Sequence, residues 1–325
     1  MTDPMTFPSL DEIKAAHQRI QPFIHRTPMM SCEAIDRLAG CEVRFKCENF
    51  QKVGAFKARG AANAVTKLTA EQRRNGVATH SSGNHAAALA RAATVAGIRS
   101  YIVMPSNAPA VKKKAVEGYG GEIIECRPNL QARETTLQGV LEKTGATFIP
   151  PYDFMDVVEG QATCALEIFE ERVTADEPVP FDVVMAPVGG GGLLAGTALL
   201  TNYVSPSTTV IAAEPAGADD AYRSFHAGEL IPIDKPNTIA DGLLTSLGKI
   251  TFAAIMKHVD DILTVSDQEI VAAMRMIYER MKIVVEPSCA VPLAALLKHS
   301  PRFAGQKVAI ILSGGNVDLN KLPFC

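Results

Sequence analysis

The sequence predicts an α/β fold in which parallel sheets are covered by helices on both faces. Short runs rich in β-branched residues, typical of buried strands, recur along the 325-residue chain. They are residues 43–46, 76–79, 101–104, 122–124, 182–185, 209–212 and 308–312. Between them lie alanine-rich segments with helical spacing, such as 85–96 and 130–143. A strand followed by a helix, repeated, favours parallel sheets, because each helix returns the chain to the edge where the next strand starts.

The composition excludes several functional classes. Hydrophobic residues make up 47% of the chain and charged residues 21%, which is typical of a packed globular protein. The net charge of −3 provides no basic field for nucleic acid, and the basic run at 112–114 is most simply a solvated helix face. The seven cysteines form no C-x-x-C pair, which favours reduced thiols in a cytoplasmic protein. We therefore expect no nucleic-acid partner.

One uncharged stretch, residues 183–200, has the length of a membrane span. Pro187 and the glycines at 189–192 lie in its middle and would break a spanning helix. Residues 1–4 do not resemble the start of a signal peptide. We therefore predict a buried strand, a glycine loop and a buried helix here, and no membrane association.

Lys57 differs from the other lysines in its surroundings. Gly54, Ala55 and Phe56 form a tight, apolar approach to the predicted helix that begins near it. Desolvation there would lower the pKa of the lysine and free its amine to attack a carbonyl group. The alternative, as for any single lysine, is a solvated surface charge.

A second loop follows the predicted strand at 76–79 and starts a helix. It carries the hydroxyl groups of Ser81 and Ser82 and the amide of Asn84. Together with the free N–H groups of a helix start, these groups suit a carboxylate. An ordinary helix cap is the alternative.

The third loop consists of Gly189, Gly190, Gly191 and Gly192, between a strand and a helix that begins at Leu193. Four glycines let the backbone turn its N–H groups toward one point, and the helix dipole adds positive potential there. We predict a phosphate cradle. The Lys-Ser/Thr of a nucleotide-triphosphate loop and the dinucleotide spacing are both missing, and a flexible turn is the alternative.

The fourth loop ends the last predicted strand with the lone hydroxyl of Ser313, where the alternative is a simple turn. The four loops appear in the order G-x-F-K-x-R-G, S-S-G-N-H, G-G-G-G-x-L-A-G and S-G-G-N. In this set and order, from residue 25 to residue 318, the chain resembles the fold type II, or β-family, pyridoxal-phosphate enzymes. Within them it is similar to the branch of serine racemases and catabolic threonine/serine dehydratases.

The resemblance implies a tryptophan synthase β-like fold of two α/β domains with pyridoxal 5′-phosphate (PLP) between them. The large domain would contain residues 1–72 and 150–325, and a small mobile domain residues 73–149. Lys57 would form the Schiff base with the cofactor, and Phe56 would pack against the ring. The remaining cofactor contacts would come from Asn84 to the 3′-oxygen, from Gly189, Gly190, Gly191, Gly192 and Leu193 to the phosphate, and from Ser313 to the pyridine nitrogen.

The same resemblance places the substrate carboxylate on Ser81, Ser82, Asn84 and His85. Arg133 matches a family arginine at the mouth of the cleft, where it could recognise a second carboxylate; a surface arginine is the alternative. A cation site is also implied, with Glu214, Asp220 and the carbonyl of Ala218 as ligands for Mg²⁺, or for Mn²⁺ or Ca²⁺. Without the resemblance, that segment is an acidic turn at the start of a helix.

The implied function is an ammonia-lyase that converts a β-hydroxy amino acid, such as L-threonine or L-serine, to a 2-keto acid and ammonia. Lys57 and Ser82 would be the catalytic residues, on opposite faces of the α-carbon. The two alternatives within the family are a serine racemase and a threo-3-hydroxyaspartate dehydratase. A protein that binds PLP or an amino acid without turnover is the non-enzyme alternative. The family also implies a homodimer.

Several positions depart from the family pattern. Ala86 and Ala87 replace the usual G-Q after S-S-G-N-H, which puts activation by ATP in question. Glu159 and Ala162 replace an alanine and a glycine in a segment that we predict near the active-site entrance. They are therefore candidates for altering substrate preference.

Overall fold

The computed structural model describes residues 6–108, 110–172 and 181–324, and within them the chain forms ten strands and thirteen α-helices. The strands form two sheets. In the larger, the strands lie in the order β1-β2-β10-β7-β8-β9. Their bounds are β1 Met29–Ser31, β2 Glu42–Cys47, β7 Val183–Pro187, β8 Thr209–Pro215, β9 Asp261–Val265 and β10 Lys307–Leu312.

The smaller sheet has the order β5-β4-β3-β6, with every neighbouring pair parallel. Its strands are β3 Val77–His80, β4 Ser100–Pro105, β5 Glu122–Cys126 and β6 Thr147–Phe148. In the larger sheet only β1 runs antiparallel to its neighbour. The predicted α/β fold with parallel-rich sheets is therefore confirmed, whereas the division into a large and a small mobile domain stays a prediction.

The helices cover both sheets and connect their strands. They are α1 Leu10–Ile20, α2 Glu33–Ala39, α3 Lys57–Thr66, α4 Ala70–Asn75, α5 Asn84–Val95, α6 Ala110–Gly118, α7 Leu130–Thr144, α8 Met155–Arg172, α9 Gly192–Val204, α10 Asp220–Ala227, α11 Lys249–His258, α12 Asp267–Met276 and α13 Pro287–Lys298. Among the described residues, no helix is both long and apolar enough to cross a bilayer.

All seven predicted strands are present, with shifts of a few residues at their ends. The uncharged stretch at 183–200 forms the buried strand β7, the glycine loop and the buried helix α9, as predicted. Three strands were not predicted: β1 and β6 have only 3 and 2 residues, and β9 is a short edge strand. Strands β1 and β6 are too short to give a periodic pattern, whereas β9 buries Ile262, Leu263 and Val265 and was missed.

The four loops singled out in the sequence lie at strand or helix ends. Ser81 follows β3, Gly189 lies just beyond β7, and Ser313 follows β10. Lys57 is the first residue of α3. In parallel sheets the loops after the carboxyl ends of strands gather at one edge, which is where ligands bind.

Candidate active site

The loop before Lys57 is joined by backbone hydrogen bonds to the loop after β10. Phe56 N donates to Ser313 O at 3.0 Å, and Gly315 N donates to Gly54 O at 2.9 Å. Ala55 also forms a β-bridge with Gly314. The first and fourth sequence motifs therefore lie side by side, with the Lys57 amine projecting from the start of α3.

The Lys57 amine lies in a largely apolar environment. Its Nζ donates to Pro151 O at 2.6 Å and lies 5.1 Å from the centroid of the Phe56 ring. Burial lowers the pKa of the amine to about 8, and the nearby charge of Glu286 opposes this shift only in part. The predicted desolvation of Lys57 is thus present, and with this pKa about a tenth of the amine is uncharged at pH 7.

A buried carboxylate, Glu286, joins the second and fourth motifs. Asn84 Nδ2 donates to Glu286 Oε1 at 2.9 Å, and Asn316 N donates to Oε2 at 3.2 Å. Asn316 Nδ2 donates in turn to Asn84 Oδ1 at 2.9 Å and to Val53 O at 2.7 Å. Asn84 is therefore held at the start of α5 by a network that also reaches the loop before Lys57.

The sequence analysis did not find Glu286. Burial raises its pKa to about 7, and the charge of Asp241 adds to this, while the hydrogen bond from Asn84 opposes it. Lys112 Nζ lies 2.5 Å from Asp241 Oδ2. At least this lysine of the basic run 112–114 is therefore paired near the site, which corrects the prediction of a simple solvated face.

The glycine loop is buried and tightly covered. A Cβ added to Gly190 would lie 2.2 Å from Cδ1 of Tyr152, and one added to Gly189 would lie 2.9 Å from Cα of Leu243. Gly191 has φ +86°, a backbone conformation that side chains rarely adopt. Thr251 Oγ1 donates to Gly190 O at 2.8 Å. Only glycine fits here, and α9 starts at Gly192, one residue before the predicted Leu193.

The two serines of the second motif are half-buried in the turn between β3 and α5. Gly83 N donates to Ser81 Oγ at 3.4 Å. His85 lies below this turn: its Nε2 is 2.9 Å from Ile149 O, and its Nδ1 is buried with no partner among the described residues. Burial, together with the charge of Lys57, lowers the pKa of His85 to about 3, so this imidazole is neutral.

Arg133, on α7, lies near the second motif. Burial and then the charge of Arg133 lower the pKa of His80, the residue directly before Ser81. The His80 ring stacks on Phe148 with centroids 5.7 Å apart. Arg133 Nε is buried and has no hydrogen-bond partner among residues 6–108, 110–172 and 181–324.

The acidic segment after β8 brings Glu214 and Asp220 together. The two Glu214 oxygens accept from Ala221 N at 3.0 Å and Tyr222 N at 2.8 Å. Asp220 Oδ2 accepts from Leu247 N at 3.1 Å, while its Oδ1 is buried and without a partner within the described part of the chain. Burial raises the pKa of Asp220 to about 6 and that of Glu214 well above its usual range. The backbone of Ala218 forms the intervening turn.

Glu159 and Ala162 lie in helix packing on α8. Glu159 Oε2 accepts from Lys67 Nζ at 2.8 Å and from Asn63 Nδ2 at 3.0 Å, both near the C-terminal end of α3. Ala162 packs against Gly196 of α9. The structure thus explains both departures by contacts between helices, and we expect from neither a direct effect on substrate preference.

Comparison with known proteins defines the class. Residues 20–314 match the family described as pyridoxal-phosphate dependent enzyme. The chain is 50% identical over 320 residues to the β-hydroxyaspartate dehydratase of Paracoccus denitrificans, covering 98% of this chain and 100% of that protein. It is 45% identical over 324 residues to the serine racemase of Dictyostelium discoideum, covering 98% of each chain.

Among solved structures, maize serine racemase superposes with a TM-score of 0.93 at 45% identity, covering 97% of this chain and 95% of that one. The fold and these matches define a pyridoxal-phosphate enzyme of fold type II. The chain belongs to the pyridoxal-phosphate dependent enzyme family, and its similar relatives include serine racemases and a hydroxyaspartate dehydratase.

Proposed function

We propose that this enzyme is an ammonia-lyase that converts a β-hydroxy amino acid to a 2-keto acid and ammonia, with 3-hydroxyaspartate as its preferred substrate. The water lost by β-elimination is taken up again when the product is hydrolysed, so ammonia is the only group lost overall. The observation that carries the proposal is the arginine Arg133, which lies beside the substrate loop with a buried, unpartnered Nε. A second carboxylate on the substrate would pair with it through a charge-assisted hydrogen bond. The dehydratase from Paracoccus denitrificans, at 50% identity, supports the same substrate class.

The residues at the site fit the cofactor. The Lys57 amine, whose pKa burial lowers to about 8, loses its proton readily and can then bond to the aldehyde carbon of the cofactor. The N–H groups at 189–192, with the start of α9, suit the phosphate. The Tyr152 ring covers this loop at Gly190 so closely that a Cβ there would lie 2.2 Å from its Cδ1. We propose that Asn84 bonds the ring oxygen, that Phe56 packs on the ring and that Ser313 faces the ring nitrogen. The position of Asn84 at the start of α5, fixed by Glu286, and the backbone bond from Phe56 N to Ser313 O support these roles.

When bound, PLP supplies an electron sink that stabilises negative charge at the substrate α-carbon. The chain's own groups then bind and move protons. Ser81, Ser82 and the free N–H groups at the start of α5 receive the α-carboxylate, with the buried His85 supporting the turn from below. Lys57, with a pKa of about 8, accepts the α-proton as general base.

Racemisation is the second candidate function, and Ser82 is the residue that favours it. Its hydroxyl lies in the half-buried turn before α5, from which we propose that it exchanges a proton on the face of the α-carbon opposite Lys57. The serine racemase of Dictyostelium discoideum, at 45% identity, supports this activity. Loss of the β-hydroxyl and reprotonation by Ser82 then compete for the same carbanion.

A structural divalent cation is part of the proposal, bound by Glu214, Asp220 and the carbonyl of Ala218. The unpartnered Oδ1 of Asp220 and the raised pKa of both carboxyls support it, because a cation would satisfy that oxygen and offset the burial of two acids. Mg²⁺, Mn²⁺ and Ca²⁺ all prefer such oxygen ligands. We assign the cation no role in proton transfer.

We further propose a cytoplasmic homodimer whose smaller sheet moves over the substrate. Six cysteines are free in the described residues, which suits a reducing compartment.

Phe50 and Val284 are exposed and lie close together, because Asn49 Nδ2 donates to Val284 O. These two apolar side chains suit contact with a second copy of the chain. Sedimentation velocity of the PLP-loaded protein tests the dimer: a single monomer boundary across micromolar concentrations would contradict it.

The cofactor assignment is tested by the visible absorbance of the PLP-loaded protein after gel filtration. We expect a band in the violet region for the wild type and none for Lys57→Ala, with no keto acid formed by the variant. Lys52→Ala, which changes a lysine five positions away, is the control and should keep the band. A Lys57→Ala protein with an unchanged band would overturn the assignment.

A further inference from the structure

Behind Lys57 lies a fully buried ionic network centred on Arg59. Its Nε and Nη2 donate to the two oxygens of Glu48, each at 2.7 Å. Nη1 and Nη2 donate to the two oxygens of Glu167, again each at 2.7 Å. The remaining donor of Nη1 reaches Thr163 Oγ1 at 3.2 Å, so all five N–H groups of the guanidinium are satisfied.

A second cation makes the network neutral. Lys46 Nζ lies 2.8 Å from Glu167 Oε2 and donates to Thr27 O at 2.6 Å. Thr27 Oγ1 donates to Glu48 Oε1 at 2.5 Å. The side chains of Lys46, Glu48, Arg59 and Glu167 are all 0% exposed. Two buried cations and two buried anions thus compensate one another without solvent.

The pKa of Glu167 shows the effect of its two cationic partners. Burial alone would raise the pKa of Glu167, but the hydrogen bonds and charges of Arg59 and Lys46 lower it to about 2. The other titratable groups that face this carboxylate are His17, 3.9 Å away with a pKa lowered by burial, and the buried thiol of Cys164, whose pKa burial raises. Both shifts favour the neutral form near neutral pH, so neither group adds a charge beside Glu167.

Replacing buried ion pairs by apolar packing is often neutral or stabilising, so stability alone does not account for this network. Its position suggests another role. Lys57 and Arg59 lie two residues apart at the start of α3, and therefore about 200° apart around the helix. The first turn of α3 has only short-range backbone bonds, from Ala58 N to Ala55 O at 3.2 Å and from Arg59 N to Phe56 O at 3.0 Å, because its N–H groups have no helical partners four residues earlier. The bidentate bonds of Arg59 to Glu48 and Glu167 hold the side of this turn that faces away from Lys57. They therefore fix the direction in which the Lys57 side chain points from the opposite side.

We propose that Arg59 is a positioning residue, which holds the first turn of α3 between β2 and α8 so that the Lys57 amine points at the carbon it attacks. Glu48 and Glu167 are the two arms of this clamp. The inference rests on the proposed function, in which Lys57 bonds the cofactor and takes the α-proton. It also gives the arginine of the motif G-x-F-K-x-R-G a role, which is to orient the lysine two positions before it.

A matched control lies on the same helix. Glu159 is also a buried carboxylate of α8, but its partners Asn63 and Lys67 lie near the end of α3, at least one and a half turns beyond Lys57. Loss of the Glu159 carboxylate should therefore lower Tm without changing the orientation of the first turn of α3. Comparison of Glu167→Gln with Glu159→Gln separates positioning from simple helix packing.

The experiment measures Arg59→Lys, Glu167→Gln and Glu159→Gln as PLP-loaded proteins. The readouts are Tm, the pH midpoint of the visible band, and kcat and KM for the best substrate. For Arg59→Lys and Glu167→Gln we expect a moved midpoint and a fall in kcat of about 10- to 100-fold, with KM changed by less than about threefold, because small misplacement of a reacting group is costly. Glu159→Gln should lower Tm while the midpoint and kcat stay those of the wild type.

The inference is overturned if Arg59→Lys lowers Tm while the midpoint and kcat remain unchanged. It is equally overturned if, across all three variants, the changes in the midpoint and in kcat are simply proportional to the loss of Tm. Lys57→Ala, measured beside them, keeps the two proposals distinct: a Lys57→Ala protein that retains the visible band contradicts the proposed function, whatever Arg59→Lys does.

Discussion

Asn84, at the start of α5, donates a hydrogen bond to Glu286 at 2.9 Å, although 202 positions separate the two residues. This contact joins the start of α5, beside the turn that we propose receives the substrate carboxylate, to the start of α13. Because Glu286 also accepts from Asn316 N, the position of the Asn84 amide depends on a buried acid. The protonation of Glu286 therefore bears on both stability and the site.

Glu286→Gln should change the pH dependence of stability. The folded-state pKa of about 7 lies above the usual value of 4.5, so the folded protein binds the extra proton between these values and loses stability as pH rises toward 7. The variant lacks this titration. We expect its unfolding free energy, relative to wild type, to rise by about 2 to 3 kcal/mol from pH 5 to pH 8 in urea denaturation.

Glu33→Gln is the control for this measurement, because the Glu33 side chain is 91% exposed. Its difference from wild type should be the same at both pH values. A Glu286→Gln difference that is equally flat would show that Glu286 is ionised throughout, and the raised pKa would be wrong.

Gly190→Ala should impair both folding and cofactor binding. The new methyl group would lie 2.2 Å from the Tyr152 ring, so the ring or the loop must move. We expect a lower Tm and an affinity for PLP weakened at least about tenfold, measured by titration of the visible band, because one or two N–H contacts to the phosphate would be lost. Gly139→Ala, on α7 with open space around it, should leave both quantities unchanged or raise Tm slightly. A Gly190→Ala protein that binds PLP like wild type would argue against the phosphate cradle.

Addition of MgCl₂ should raise the Tm of the wild type, and EDTA should reverse the rise, because a cation that binds only the folded state stabilises it. Asp220→Asn removes a proposed ligand and should abolish the response. Asp219→Asn, whose partner is Arg223, should retain it. A wild-type Tm that is the same in MgCl₂ and EDTA, or a full response in Asp220→Asn, would eliminate this site.

Arg133→Met should act on dicarboxylate substrates alone. Loss of a charge-assisted hydrogen bond, worth about 1.5 to 3 kcal/mol, should lower kcat/KM for threo-3-hydroxyaspartate by about 10- to 150-fold and leave that for L-serine within about threefold. Arg127→Met, a nearby exposed arginine, is the control and should change neither. Equal losses on both substrates would reassign Arg133 to the α-carboxylate or to the fold.

The sequence predicted the parts of the site that lie within short motifs. Lys57, the glycine loop and Ser313 are recognisable because each follows or precedes an element with a clear hydrophobic pattern, and parallel sheets bring such loops to one edge. The glycine at position 190 was informative for a steric reason, because a side chain there would collide with the Tyr152 ring.

Glu286 and Tyr152 could not be predicted in this way. Each meets its partners only through tertiary packing, and neither has neighbours in sequence that distinguish it from a surface acid or a core aromatic. One signal was available for Glu286: it is a charged residue directly before an apolar helix that starts with Pro287. The partners of Glu159 were likewise not visible in the sequence, since they lie on α1 and at the end of α3.

A product-partition assay tests the central claim most directly. The purified protein, loaded with PLP and supplied with MgCl₂, is given L-threo-3-hydroxyaspartate, L-serine and L-threonine separately, and keto acid and enantiomeric ratio are measured in the same samples. We predict that keto acid exceeds D-isomer for every substrate that reacts, with hydroxyaspartate fastest. A D-isomer in excess, or no keto acid from any of the three, would contradict the account.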